Sequence, residues 1–334
     1  MTLAEGVAAA MFVGVLAYAL FGGADFGSGF YDLTAGRGRR GAEIRTLVDH
    51  SIGPVWEANH VWLIYILVMW WTAFPTAFAA AMTTLFVPLM LALAGIVLRG
   101  ASFALRKYAE TYSQARLLGA IFAGSSLITP FFFGTVVGAI ASGRVPAVGY
   151  GDRAGSWVNP TSMIGGCLAV TTCVFLAGVF LTADAARAGS SPLAERLRKR
   201  TLAVGVFAGL VVFAGLYPIL HDAPMFSHGL LRAGLPLLIT AALSGVLTLI
   251  SIYRRSYSVA RVFAVAAVAV VVAGWGVGQY PWMLVGQLTI TDAAGAKATL
   301  TGLLVVIALA VVIVLPALTY LLRLTQTEKW SRVQ

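Results

Sequence analysis

Residues 47–74, LVDHSIGPVWEANHVWLIYILVMWWTAF, form a long apolar run that sets the class of fold. From residue 61 to residue 98 the chain carries no charged side chain. A helix needs about 20 apolar residues to cross the hydrocarbon core of a bilayer, and this stretch is long enough. Its apolar residues do not alternate with period two, which excludes the strands of a membrane barrel. The run predicts a transmembrane helix with an acid, Glu57, in its interior.

The composition of the whole chain indicates that lipid is its main solvent. Hydrophobic residues make up 59% of the 334 residues and charged residues 11%, whereas a soluble domain carries about 25% charged residues. Backbone groups inside a bilayer must bond to one another, so we predict an all-α integral membrane protein. The net charge of +10 does not indicate nucleic acid as a partner, because the basic residues lie in short connections between apolar runs.

We expect a single polytopic membrane domain, residues 1–334, with about nine transmembrane helices. The apolar runs lie near 7–33, 47–74, 77–105, 117–142, 159–187, 201–220, 229–252, 259–283 and 299–322. FGGADFGSG in the first run and FLTADAARAG in the fifth each carry an Asp near one end. This faint repeat favours two four-helix bundles plus one peripheral helix, with approximate halves 1–150 and 151–334.

Basic residues fall on one side of the predicted bundle. Of the 23 Lys and Arg residues, 18 follow the odd-numbered runs. The positive-inside rule therefore places those connections and the C-terminus in the cytoplasm, and the N-terminus outside. The segment before the first run has no basic side chain, so that run is expected to be a retained membrane helix and not a signal peptide.

Protonatable side chains form a stripe along the second run. Glu57 lies roughly 15 Å from the cytoplasmic end at about 1.5 Å per residue, which is close to the bilayer centre. Asp49 and His50 precede it by about two turns, and His60 follows it by one turn, so all four approach one face. Charged groups at this depth are costly and usually functional, so the stripe predicts a proton pathway. A purely structural hydrogen-bonding role for these groups stays open.

The first run adds Asp25, which is flanked by glycines that permit close helix approach. We expect Asp25 to face Glu57 and the two carboxyls to share a proton in a low dielectric. A structural hydrogen bond with both acids neutral is the alternative.

The chain offers no motif for a prosthetic group. His221 and His228 fall in a predicted outside loop, and His60 has an acid nearby, which favours hydrogen bonding over iron ligation. We therefore predict no haem ligand and no metal site in this chain. The sequence also lacks a P-loop, an HExxH motif and a dinucleotide fingerprint.

Several motifs together resemble subunit II of the cytochrome bd-type quinol oxidases. They are GGADFGSGFYDL (22–33), DHSIGPVWEANHVWLI (49–64), TAFPTAFA (72–79), FLTADAAR (180–187), GWGVGQYPWML (274–284) and TITDAA (289–294). They occur in the family's order and extend through nearly the whole chain. Among them, the SIGPxWEANxVW block is specific.

The resemblance implies one subunit of an oxidase in a bacterial cytoplasmic (inner) membrane. Such an enzyme oxidises membrane quinol, reduces dioxygen to water and takes protons from the cytoplasm. Haem b and haem d belong to the partner, subunit I, so this chain is expected to bind no haem directly. A structural quinone or lipid, and a small accessory subunit, are compatible with the resemblance.

The resemblance also assigns roles to individual residues. It places a proton route at Glu57, where some members have Asp, and at Asp25. It places Trp62 near a lateral oxygen entrance and Trp56 beside the proton-carrying carboxylate. The chain departs from better-known members by having His60 where Gln can occur, and by a short 143–158 loop.

A proton-coupled secondary transporter is the alternative, because it would also place acids at the midplane. Transporters usually show inverted repeats and broken helices around the binding site. Here the polar groups crowd into the first two runs and the faint repeat is parallel, which favours the oxidase subunit.

Overall fold

The computed structural model describes residues 2–36, 38–52, 56–106 and 108–326 of the chain. These residues form thirteen α-helices, one π-helical turn and a two-stranded hairpin, joined by short loops. The α-helices are α1 Leu3–Ala17, α2 Gly23–Leu33, α3 Arg39–Ile52, α4 Trp56–Ala73, α5 Pro75–Thr84, α6 Phe86–Arg106, α7 Tyr112–Ala141, α8 Pro160–Arg187, α9 Ser191–Asp222, α10 Pro224–Ala233, α11 Leu235–Tyr253, α12 Tyr257–Gln279 and α13 Lys297–Gln326. The π-helical turn is Tyr18–Gly22, and the strands are β1 Trp282–Leu284 and β2 Leu288–Thr289.

The predicted class of fold is confirmed. Within the described ranges, eight helices are long and apolar enough to cross a membrane, and α3 with α4 adds a ninth if that bent pair is one span. Residues 53–55 between α3 and α4, which include Pro54, lie outside the described residues. The first span runs from Leu3 to Leu33 through the π-helical turn.

Two predicted runs are broken and a third ends early, each next to a proline. The predicted run 77–105 is broken at Leu85, because Pro88 has no N–H to donate to the carbonyl of Thr84. Pro236 likewise has no N–H to donate, and it follows the break at Gly234 that separates α10 from α11. The run expected to extend to residue 283 ends as a helix at Gln279.

Pro281 causes this earlier end, since it forces Tyr280 into an extended conformation (φ −61°, ψ 135°). The chain then enters the short antiparallel hairpin, in which Trp282 pairs with Thr289. The structure thus contains a small β element that the all-α prediction does not include.

Helix α8 packs against both α2 and α7 at the centre of the molecule. Glycine makes this close approach possible, because a Cβ at Gly27 on α2 would lie 1.9 Å from the carbonyl oxygen of Cys173 on α8. Helix α2 also packs on α7, and α8 on α12, while α13 lies against α1 and α4. Two four-helix bundles plus a peripheral helix are compatible with these contacts, and that arrangement stays a prediction.

Candidate functional site

Asp25 is buried and forms an ion pair with Arg99. The Arg99 Nη2 atom lies 2.5 Å from Oδ1 of Asp25, and both side chains are 2% exposed. Asp25 is on α2 and Arg99 is on α6, and the two residues are 74 positions apart in sequence. The membrane interior therefore holds a compensated pair of charges.

The surroundings of Arg99 stabilise a cation in an apolar region. Its Nε donates to the Ser126 hydroxyl at 3.0 Å. Its guanidinium carbon lies 4.9 Å from the centre of the Phe26 ring and 5.1 Å from that of Phe122. A cation over the face of an aromatic ring is attracted by the ring quadrupole. Hydrogen bonds and rings together replace the water that the guanidinium loses.

A second ion pair lies two helical turns further along the same helices. Asp32 follows Asp25 by seven residues, and Arg106 follows Arg99 by seven. Arg106 Nη1 lies 2.5 Å from Oδ2 of Asp32, and its Nη2 lies 3.7 Å from Oδ2 of Asp49. Because seven residues complete about two turns, Asp25 and Asp32 lie on one side of α2, and Arg99 and Arg106 lie on one side of α6. The two pairs form a ladder from the membrane interior to the end of the span.

Glu57 is separate from this ladder. It lies on an exposed face of α4 together with Val61, Ile64 and Val68. The expectation that Asp25 and Glu57 form a carboxyl pair is wrong, because the structure gives Asp25 a cation as its partner. Glu57 is thus an exposed acid inside a predicted membrane span.

The predicted stripe is divided between two helices. Asp49 and His50 lie on α3, and His50 Nδ1 donates to the Thr46 carbonyl at 2.8 Å. Glu57 and His60 lie on α4, beyond the bent junction. The structure therefore groups Asp49 with Arg106 and leaves His50 exposed.

The His60 ring is enclosed by aromatic side chains. The centres of the Tyr18, Phe26 and Trp56 rings lie 6.4, 6.2 and 6.3 Å from that of His60. A porphyrin bound to His60 would have to displace these contacts, so the site does not fit a haem. The part of the chain that the structure describes also contains no group of three or more His, Cys, Asp or Glu side chains that could hold a metal ion.

The two tryptophans to which the resemblance assigns roles, Trp56 and Trp62, occupy different surroundings. Trp56 packs on Phe103, with ring centres 5.7 Å apart, and meets His60 edge-on. Trp62 packs edge-on against Tyr65 at 6.4 Å and is half-buried. Trp56 thus lines the buried aromatic group, whereas Trp62 lies further along α4.

A third ion pair involves the acid of the faint repeat. Asp184 on α8 pairs with Arg261 on α12, and its other carboxylate oxygen lies 3.5 Å from the Ser51 hydroxyl on α3. Asp25 and Asp184, which occupy matching positions in the repeat, therefore both have an arginine partner.

The sequence patterns above do not mark Arg99, Arg106 or Arg261 as site residues. A signal for Arg99 was present: it is a lone cation in the apolar stretch PLMLALAGIVLRGASFAL, residues 88–105. An ionisable residue inside a membrane span is a functional candidate by default, and this rule applies to arginine as much as to Glu57.

Comparison with known proteins agrees with the motifs. The family model described as cytochrome bd terminal oxidase subunit II matches residues 3–325. Cytochrome bd ubiquinol oxidase subunit 2 of Bacillus subtilis (strain 168) is 27% identical over 210 residues, which are 62% of this chain and 60% of that protein. Cytochrome bd-I ubiquinol oxidase subunit 2 of Escherichia coli (strain K12) is 31% identical over 211 residues, 60% of this chain and 52% of that protein.

A solved structure of bd oxidase from Geobacillus thermodenitrificans has the same fold. It superposes with a TM-score of 0.80 over 98% of this chain and 99% of that one, at 24% identity. The family model covers most of the chain, so the chain belongs to the cytochrome bd terminal oxidase subunit II family.

Proposed function

We propose that this chain is the second subunit of a complex that oxidises membrane quinol and reduces dioxygen to water. The ladder of Asp25–Arg99 and Asp32–Arg106 is the observation that carries the proposal, because it lines the membrane interior with ionisable groups. In this complex haem b and haem d belong to subunit I and supply the oxygen chemistry. The chain itself supports subunit I and moves protons toward it.

Carboxyl groups carry the protons in this proposal. Arginine stays protonated in proteins, so Arg99 and Arg106 hold and orient the acids and do not exchange protons themselves. Asp49 and Asp32 share Arg106 at the end of the ladder, which we assign to proton uptake from the cytoplasm. Asp25 lies about 10 Å deeper, at roughly 1.5 Å per residue.

Subunit I is proposed to cover the exposed face of α4 that carries Glu57. A carboxyl group at this depth is unfavourable against lipid and favourable against a protein surface that bonds to it. The neighbouring Val61, Ile64 and Val68 add an apolar surface suited to helix packing. Glu57 then delivers protons across the subunit boundary, and Trp62 on the same helix lines an oxygen route.

The proposed location is the cytoplasmic membrane of a bacterium, with the N-terminus outside and the C-terminus inside. Basic side chains support this orientation: Arg106, Arg196 and Arg198 lie at the end of the bundle to which the ladder leads. A structural quinone or lipid and a small accessory subunit complete the expected assembly.

The first test is purification of the complex through a tag on this chain. We expect subunit I to be retained and the reduced-minus-oxidised visible spectrum to contain haem d and haem b bands. A colourless single-chain preparation would contradict the proposal and favour the proton-coupled transporter.

The second test is the variant Glu57→Gln, which keeps the size of the side chain and removes its acid. We expect turnover to fall by about 10²-fold or more, the scale of a lost proton-transfer group, with haem content retained. Glu110→Gln is the matched control, because Glu110 is an exposed acid in a connection outside the spans. Wild-type turnover in both variants would remove Glu57 from the proton route.

A further inference from the structure

Three buried polar atoms near the ladder have no hydrogen-bond partner among the described residues. They are the Tyr18 hydroxyl, Oδ2 of Asp25 and Nδ1 of His60. Each comes from a different segment: the π-helical turn, α2 and α4. Buried polar groups in folded proteins are nearly always hydrogen-bonded, either to protein or to water.

The three side chains lie around one ring, that of Phe26. The ring centres of Tyr18 and His60 lie 6.3 and 6.2 Å from that of Phe26, and 6.4 Å from each other. Asp25 precedes Phe26 in the chain, and its partner Arg99 lies over the Phe26 ring, with the guanidinium carbon 4.9 Å from the ring centre. The three unpaired atoms thus belong to side chains that are grouped around the Phe26 ring.

The π-helical turn places Tyr18 in this cluster. Gly22 leaves space for the ring, since a Cβ there would lie 2.9 Å from Cε2 of Tyr18. Asn59 Nδ2 donates to the Phe21 carbonyl within the turn at 3.4 Å, which joins the turn to α4 beside His60. Such π-turns inside α-helices often occur at functional sites.

We propose that Tyr18, Asp25 and His60 hold an internal water molecule that carries protons between Asp25 and His60. The proposal deepens the proton route described above and rests on it. An internal water typically makes two to four hydrogen bonds, and the cluster supplies one hydroxyl, one carboxylate oxygen and one imidazole nitrogen. Tyr18 is a positioning residue that orients the water.

The transfer balances as a relay of single protons. Oδ2 of the ionised Asp25 accepts a proton that arrives from the cytoplasmic side, and Oδ1 stays bonded to Arg99. The neutral acid then gives that proton to the water, while the water gives one of its own to Nδ1 of His60. Water and carboxylate are regenerated, and the proton has moved from α2 to α4. Glu57, one turn from His60 on α4, is the next acceptor.

The test uses the intact two-subunit complex and infrared difference spectra recorded in H₂¹⁶O and H₂¹⁸O. We expect the wild type to show a bound-water O–H band that changes on reduction and shifts with ¹⁸O. The variant Tyr18→Phe removes only the hydroxyl and is expected to shift or abolish that band. Tyr65→Phe is the control, because the Tyr65 hydroxyl already donates to the Ala10 carbonyl at 2.9 Å.

A kinetic measurement accompanies the spectra. Proton uptake after an oxygen pulse should slow about fivefold in Tyr18→Phe, the factor that corresponds to one hydrogen bond of ordinary net strength. The KM for quinol should stay unchanged. His60→Leu should slow uptake more strongly, and His60→Gln, which retains polar atoms, should restore part of the rate.

The outcomes separate this proposal from the proton route itself. No ¹⁸O-sensitive band in the wild type, or an unchanged band in Tyr18→Phe, would overturn the water site. If Glu57→Gln still slows uptake in that case, the proton route stands without the water. If the band is lost in Tyr18→Phe and uptake keeps its wild-type rate, the water is structural and its role as proton carrier is overturned.

Discussion

At the residue scale, Asp25–Arg99 is the most deeply buried ion pair among the described residues, with both side chains 2% exposed. Removing one partner of such a pair leaves an uncompensated charge in an apolar region. We therefore predict that Arg99→Met destabilises the protein by about 3–5 kcal/mol. Thermal denaturation of the purified complex, followed by loss of the haem absorbance, measures the effect.

The double variant Asp25→Asn with Arg99→Met is the control for this prediction. It removes both charges, so much of the stability should return, because a neutral buried pair avoids the desolvation of two ions. Proton uptake should stay impaired in the double variant, since the carboxyl group is gone. Equal destabilisation of the single and double variants would show that packing, and not charge, explains the loss.

At the element scale, the contact between α2 and α8 depends on a missing side chain. A Cβ at Gly27 would overlap the Cys173 carbonyl oxygen, which belongs to the backbone and cannot rotate away. We predict that Gly27→Ala forces the two helices apart, at a cost of at least about 1–3 kcal/mol, and lowers the yield of assembled complex.

The matched control is Gly124→Ala on α7, where an added Cβ meets no atom within 4 Å. That change should leave the yield and melting temperature near those of the wild type, or raise stability slightly because alanine favours helix. Similar yields from the two variants would argue against a backbone contact between α2 and α8 of this closeness.

At the scale of the whole molecule, the charge distribution makes a testable prediction about orientation. Val148, in the loop after α7, is 89% exposed, and Tyr108, after α6, is 81% exposed. In a background with Cys167→Ala and Cys173→Ala, Val148→Cys should react with a membrane-impermeant thiol reagent applied to intact cells. Tyr108→Cys should react only after the membrane is opened.

The reverse labelling pattern would invert the proposed topology. It would also move the Asp32–Arg106–Asp49 end of the ladder to the outer surface. Proton uptake from the cytoplasm through this end would then be ruled out, whereas membership in the family would stand.

The sequence by itself determined the class of fold, most of the spans and the family. These features depend on local properties: the length of an apolar run, the position of basic residues and the order of short motifs. It also identified Asp25, Asp49 and Glu57 as ionisable groups in or near the spans. Where predicted runs are broken, at Leu85 and Gly234, or end early, at Gln279, the prolines that follow account for the difference.

Only the tertiary structure decided which groups meet. Asp25 and Arg99 are 74 residues apart in sequence, and apolar residues surround both, so periodicity does not encode their pairing. In lipid the apolar faces of a helix are nearly equivalent, and close packing at small residues such as Gly27 selects which faces touch. For that reason the sequence alone predicts the wrong partner, Glu57, for Asp25. The contact between the Tyr18 and His60 rings likewise depends on how the helices pack, which the sequence pattern does not show.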